Sequence, residues 1–291
     1  MKNNALNPEE ISRVFLSSLS CSRSLFTTLN RAMEFPNEKA ELASQPLAGG
    51  LVKKGHQCGM LWGSTLAAGA ESFRRFGPSP QAEASAVAAA EKLVDSFKAR
   101  TGTLLCGDIT NCNFESIFGG IKYMVTGKAN ECRKLAIKWA PEAFESIHEA
   151  FCAKQMELPP PPYSCAAMTA RKMGAGDAEA ITVAGFAGGI GLSQSACGAL
   201  GAAVYIATLN WYNDNHPADV SFSQSLKREI GLKKDFYPEV KKVVKRFYGA
   251  TGGKILCGEI TGRRFKTLAD HATFIQEGGC AEIIEALGNT N

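Results

Sequence analysis

The feature that most restricts what this chain can fold into is that it repeats itself. Thr101 to Phe114 (TGTLLCGDITNCNF) returns as Thr251 to Phe265 (TGGKILCGEITGRRF), which sets Cys106 on Cys257, Gly107 on Gly258, Asp108 on Glu259 and Phe114 on Phe265. A second block, Leu47 to Leu61 (LAGGLVKKGHQCGML), matches Phe186 to Leu200 (FAGGIGLSQSACGAL) and sets Cys58 on Cys197. Cys21 and Cys165 lie upstream of these blocks, Cys132 and Cys280 downstream, so four cysteines recur in the same order. The fold has to be one that can be built twice. The run Leu158-Pro159-Pro160-Pro161-Pro162 favours extended backbone and ends any helix. It divides the chain into a first module (1–157), a Pro-rich linker (158–163) and a second module (164–291).

Helical spacing of apolar residues predicts Pro8 to Met33, Cys58 to Phe76, Ala82 to Lys98 and Asn130 to Ala153, the last interrupted near Pro141. The second half reads likewise: Ser164 to Met173, Asp177 to Gly185, Cys197 to Tyr212, Asp235 to Tyr248, and Leu268 to Leu287 with a break at Gly278-Gly279. Alternating runs of strand length are scarce. The expected class is all-α, with two similar helical-bundle modules related by internal duplication.

A chain of 291 residues buries an adequate core without crosslinks, so its ten cysteines are not needed as staples. The N-terminal residues lack the layout of a secretion signal, and the longest apolar stretch, Ala196 to Leu209, is too short to span a bilayer. The expectation is a cytoplasmic protein with no membrane association, where cysteine-rich chains bind metal or do redox chemistry. Net charge is +4, with the local excess between Lys227 and Arg246. That run reads as a solvated helix face, with an acidic partner protein as the alternative; no nucleic-acid motif accompanies it.

Cys58 and Cys197 each follow a glycine-rich turn and open a helix, where dipole and free N–H groups favour a thiolate. Cys106 and Cys257 read as loop residues. Cys112 and Cys152 have no counterparts and read as packing residues. Asp108 and Glu259 are expected to cap the following turn. His56 aligns with Ser195 and reads as exposed; His148, His216 and His271 have no aligned counterparts and receive no role. Dinucleotide, Walker and Ser/His/Asp patterns are missing.

These residues resemble the C_GCAxxG_C_C family of putative redox-active proteins, and each half looks like one member. The first match is Cys21, Gly49-Gly50, CGMLWG (Cys58 to Gly63), Cys106 and Cys132; the second is Cys165, GFAGGIG (Gly185 to Gly191), CGALGA (Cys197 to Ala202), Cys257 and Cys280. Met60 replaces the motif's alanine in the first copy, and Ala202 its last glycine in the second. A related domain accompanies haem and an iron–sulfur centre in split-Soret-type cytochromes, but no C-x-x-C-H occurs here. The resemblance implies redox or metal-centre chemistry. Four thiolates per module suit a [2Fe–2S] or [4Fe–4S] cluster serving electron transfer to a redox partner protein, or cluster-assisted catalysis. Zinc suits the same ligands, as a structural interaction module. A thiol–disulfide enzyme using Cys58 or Cys197 as a low-pKa nucleophile is the third reading.

Overall fold

The computed structural model describes residues 6–152, 158–215 and 237–289, and among them it is all helical apart from two isolated β-bridges. The first copy consists of α1 (Pro8–Ser18), α2 (Cys21–Ala32), α3 (Glu38–Ala43), α4 (Gly59–Phe76), α5 (Pro80–Thr101), α6 (Cys106–Thr110), α7 (Ile117–Val125) and α8 (Lys128–Cys152). The second consists of α9 (Cys165–Lys172), α10 (Asp177–Ala184), α11 (Gly198–Asn215), α12 (Tyr237–Thr251), α13 (Cys257–Thr261), α14 (Leu268–Gln276) and α15 (Ala281–Gly288).

Three local readings need correction. The helix expected over Pro8 to Met33 is two. Leu19 adopts a left-handed φ of 52°, and Ser20 then caps α2 by accepting from Arg23 N–H, so Cys21 is a first-turn residue and not mid-helix. Cys106 and Cys257 each start a short helix instead of lying in a loop. Finally, α8 runs through Pro141 without interruption. Its buried stripe of Ala136, Trp139, Ala140, Ala143 and Ile147 packs on α5, and the Trp139 ring stands edge-on to Phe97 at 4.6 Å while its Nε1 donates to Ser96. Tertiary packing there outweighs the one backbone hydrogen bond that proline cannot make. Asp235, Lys227, Arg228, Lys233, Lys234 and His216 lie outside the described residues. Of the basic run, Lys241, Lys242 and Lys245 are exposed on α12.

The copies bury their apolar faces in one common core, in which Leu25, Trp62 and Phe97 of the first meet Phe186, Leu200 and Phe247 of the second. Contacts are reciprocal: α4 packs on α10, and its counterpart α11 packs on α3, the counterpart of α10. Such exchange is the mark of an approximate twofold axis. Trp62 meets Phe186 edge-on at 4.6 Å, and Gly69 lets α4 approach α10 so closely that a Cβ there would stand 2.2 Å from the Thr182 carbonyl oxygen.

The axis passes near Gln57. This residue aligns with Ala196, and its fully buried side chain holds that same alanine: Nε2 donates to the Gly189 and Ala196 carbonyls, and Oε1 accepts from Ala196 N–H at 3.0 Å. Each partner immediately precedes a quartet cysteine, Cys58 or Cys197.

Candidate functional site

Each copy joins its two Cys-Gly segments by the same device. A bridge pairs Gln57 with Leu105 in the first copy and Ala196 with Leu256 in the second. Cys58 N–H donates to the Leu104 carbonyl and Cys106 N–H to the His56 carbonyl, at 2.8 and 2.7 Å; Cys197 with Ile255 and Cys257 with Ser195 repeat both bonds at the same lengths. The two Cys-Gly pairs of a copy are thus stitched side by side. His56 contributes its backbone to this stitch, and its half-buried ring is held below the ordinary histidine pKa by burial and by Lys54.

The glycines of CGMLWG explain how Cys21 reaches Cys58. Gly59 and Gly63 share one face of α4, pressed against the start of α2. A Cβ on Gly59 would lie 2.6 Å from the Cys21 sulfur, and one on Gly63 would lie 2.0 Å from the Ser22 carbonyl oxygen. In the second copy Gly201 makes room for the Trp62 ring instead.

Cys21, Cys58, Cys106 and Cys132 all line one cavity of about 500 Å³. Cys58 donates its thiol hydrogen to the Cys21 sulfur, which also accepts from the N–H groups of Gly49, Cys21 and Ser22, and together these bring Cys21 down to about 7 against burial. Cys58 moves the opposite way, well above the ordinary thiol value, because its hydrogen is committed to Cys21 and because it is buried. Burial likewise raises Cys106. Cys132 is pushed up to about 11 by burial and by the charge of Cys21, although it accepts a hydrogen bond from the Tyr123 hydroxyl.

The second quartet is also drawn together, with Cys165 within electrostatic reach of Cys197, Cys257 and Cys280. Burial raises Cys165, yet it ends below the ordinary value: the hydrogen bond and charge of His271 outweigh burial, helped by the N–H groups of Gly188 and Ala166. His271 is buried, and burial alone would lower it; the Cys165 sulfur more than reverses this, and Nδ1 meets the Tyr163 carbonyl at 3.0 Å. Burial pushes Cys197 up to about 12 and raises Cys257 and Cys280 also.

Two expectations about thiols are therefore overturned. The low-pKa cysteines are Cys21 and Cys165, not Cys58 and Cys197: the Cys58 thiol lowers Cys21 and His271 lowers Cys165, each helped by N–H groups of a helix start and of the Gly-Gly turn, whereas burial outweighs the Ala199 and Leu200 N–H groups at Cys197. His271, given no role from the sequence, is a partner of the second quartet; its only signal was a histidine between Cys257 and Cys280. Cys152 is exposed at the end of α8 and is no packing residue. Cys112 is buried, donates to the Thr110 carbonyl, and lies within electrostatic reach of Cys106 and Cys132. Asp108 accepts from the Thr103 hydroxyl just ahead of α6.

The duplication extends to the aromatic side chains beside the quartets. Phe114 meets Tyr123 at 5.2 Å in the first copy, and Phe265 meets Phe274 at 5.2 Å in the second. Among the described residues, no three His, Cys, Asp or Glu side chains stand close enough to hold a single metal ion, and no helix is long and apolar enough to cross a membrane.

A family model described as "Putative redox-active protein (C_GCAxxG_C_C)" matches residues 19–155 and again residues 163–289. The chain belongs to this family. It holds two C_GCAxxG_C_C units in tandem; the bridges pair the two Cys-Gly segments of each, and the α2–α4 contact adds Cys21 in the first. No curated protein and no solved structure matches the chain.

Proposed function

We propose that each quartet is the ligand set of an iron–sulfur cluster, Cys21, Cys58, Cys106 and Cys132 in one copy and Cys165, Cys197, Cys257 and Cys280 in the other. The protein then serves electron transfer with a redox partner protein, or cluster-assisted redox catalysis. The observation that carries this reading is that four thiols from four separate segments are drawn to one buried place in both copies. The donor set fits. Thiolates are the ordinary ligands of such clusters, and N–H groups aimed at sulfur are among the features that tune their potentials. Four thiolates on a single zinc, each about 2.3 Å from the metal, form a tight tetrahedron, whereas a cluster spreads its ligands over several irons.

A cluster held there supplies one-electron chemistry. The chain's own part is to wall the first quartet with Met60, to donate N–H groups to Cys21 and Cys165, and to set a tyrosine hydroxyl on Cys132 and a histidine on Cys165. Protein purified without oxygen should contain iron and acid-labile sulfide, and a variant with all four second-copy cysteines changed to alanine should keep half of each. Iron-free protein after attempted reconstitution would refute the reading.

The Cys58-to-Cys21 hydrogen bond favours a second reading, thiol–disulfide exchange. The Cys21 thiolate attacks one sulfur of a substrate disulfide and expels the other as a thiolate. Cys58, losing its proton, then attacks the Cys21 sulfur of the mixed disulfide, leaving a Cys21–Cys58 disulfide and a reduced substrate. Rapid turnover of a small disulfide by metal-free protein, lost in Cys58→Ala, distinguishes it.

A further inference from the structure

We propose that the cavity over the first quartet binds an apolar organic anion: a ring or hydrocarbon body carrying one carboxylate, sulfonate or thiolate. The cavity, about 500 Å³, falls in the range that encloses a small organic molecule. Its walls are largely apolar, with Phe15, Leu19, Ile109 and Phe114 above the four sulfurs. The charged groups lining it are Lys53 and Arg133; no carboxylate does. Arg133 donates to Ser12 Oγ and Asn130 Oδ1, both neutral, and so keeps its full positive charge available to a ligand.

The duplication supplies an internal control. Lys53 aligns with Leu192, and Arg133, next to Cys132, aligns with Ala281, next to Cys280. Both cations are thus missing from the second copy. Among the described residues, the stretch aligned with the end of α1 is the Pro-rich segment, which lies against α14, where Gln276 donates to the carbonyls of Pro160 and Pro161. A smaller cavity of about 330 Å³ reaches only Cys280 of the second quartet, and its two charged lining residues, Lys254 and Glu282, are of opposite sign. Among the described residues, open apolar space lined by two cations and no carboxylate stands over the first quartet. The use of this space as a substrate or electron-acceptor site rests on the reading of the quartet as a redox centre.

The test is fluorescence titration of the full chain, metal-free and after cluster reconstitution, with 8-anilinonaphthalene-1-sulfonate and its neutral analogue N-phenyl-1-naphthylamine. We expect saturable binding of both at one site. The double variant Lys53→Met, Arg133→Met should weaken the sulfonate about tenfold or more and leave the neutral probe unchanged, the loss expected for a charge-assisted contact. Ala129→Phe, which fills the cavity from α8, should abolish both. Equal weakening of the two probes, or none, overturns the anion claim, and binding that survives Ala129→Phe overturns the site. Iron and sulfide are measured on the same samples. Failure of the titration in iron-loaded protein removes this inference alone, whereas anion binding in protein that never takes up iron removes the cluster reading alone.

Discussion

In metal-free protein, Cys58→Ala should move the alkylation midpoint of Cys21 from near pH 7 toward its ordinary value of 9.0, because the Cys58 hydrogen bond is the largest influence lowering it. At pH 7 a thiol titrating near 7 is half ionised, and one titrating near 9 is about 1% ionised, a loss of about 50-fold in thiolate. The more basic thiolate is also the better nucleophile, by about eightfold over two units at a Brønsted slope near 0.45. The net result is alkylation about sixfold slower at pH 7 and about sevenfold faster at pH 10, so the two profiles must cross. Cys58→Ser keeps an O–H donor and should keep the midpoint low. The readout is the iodoacetamide rate at the Cys21 peptide, followed by mass spectrometry from pH 5 to 10. An unchanged midpoint, or a uniform slowing at every pH, would refute the assignment. Since the folded pKa of Cys21 lies below the ordinary one, its thiolate stabilises the fold above about pH 9, and that contribution is lost as pH falls through 7; Cys58, raised instead, contributes in the opposite direction above pH 9.

Gln57→Ala strips three hydrogen bonds from buried backbone groups and should cost about 2–4 kcal/mol in urea unfolding of metal-free protein; a loss under 0.5 kcal/mol would contradict its place at the axis. Gly69→Ala should destabilise by about 1–3 kcal/mol through overpacking against Thr182, while Gly249→Ala on α12, where a new Cβ meets nothing within 4 Å, should stabilise by up to about 1 kcal/mol. His271→Gln should raise the alkylation midpoint of Cys165 and leave that of Cys21 in place, because its charge lowers only the former. A Cys165 midpoint that does not move would show that the Gly188 and Ala166 N–H groups suffice.

The helical class and most helix positions were legible because amphipathic spacing reports on a single element. Cys58 and Cys197 stand just ahead of α4 and α11 as their glycine-rich turns indicate. What the spacing did not report is direction. Dipole reasoning identified the right type of place, a helix start with free N–H groups, but three cysteines of the first half and four of the second occupy or adjoin helix starts. Only the packing shows that the Gly-Gly turn serves Cys21 and Cys165. The left-handed Leu19 that splits the first helix also carried no signal, since leucine rarely adopts that conformation. His271 was missed for a related reason. Comparison of the copies found shared residues, and a residue that makes the copies differ is invisible to that method.

Gln57 gives that difference a place in the history of the chain. A residue hydrogen-bonded to its own counterpart sits where a dimer of single units would meet itself. Two separate but identical chains would have to place the same side chain there from both sides, two glutamines competing for one space or two alanines leaving the carbonyls of that seam unmet. Joining the units in one polypeptide lets the two positions mutate independently, one to donor and acceptor, the other to a methyl that makes room. Fusion thus did more than double the cysteines: it permitted a lopsided seam, and with it a pair of thiol pockets free to specialise apart.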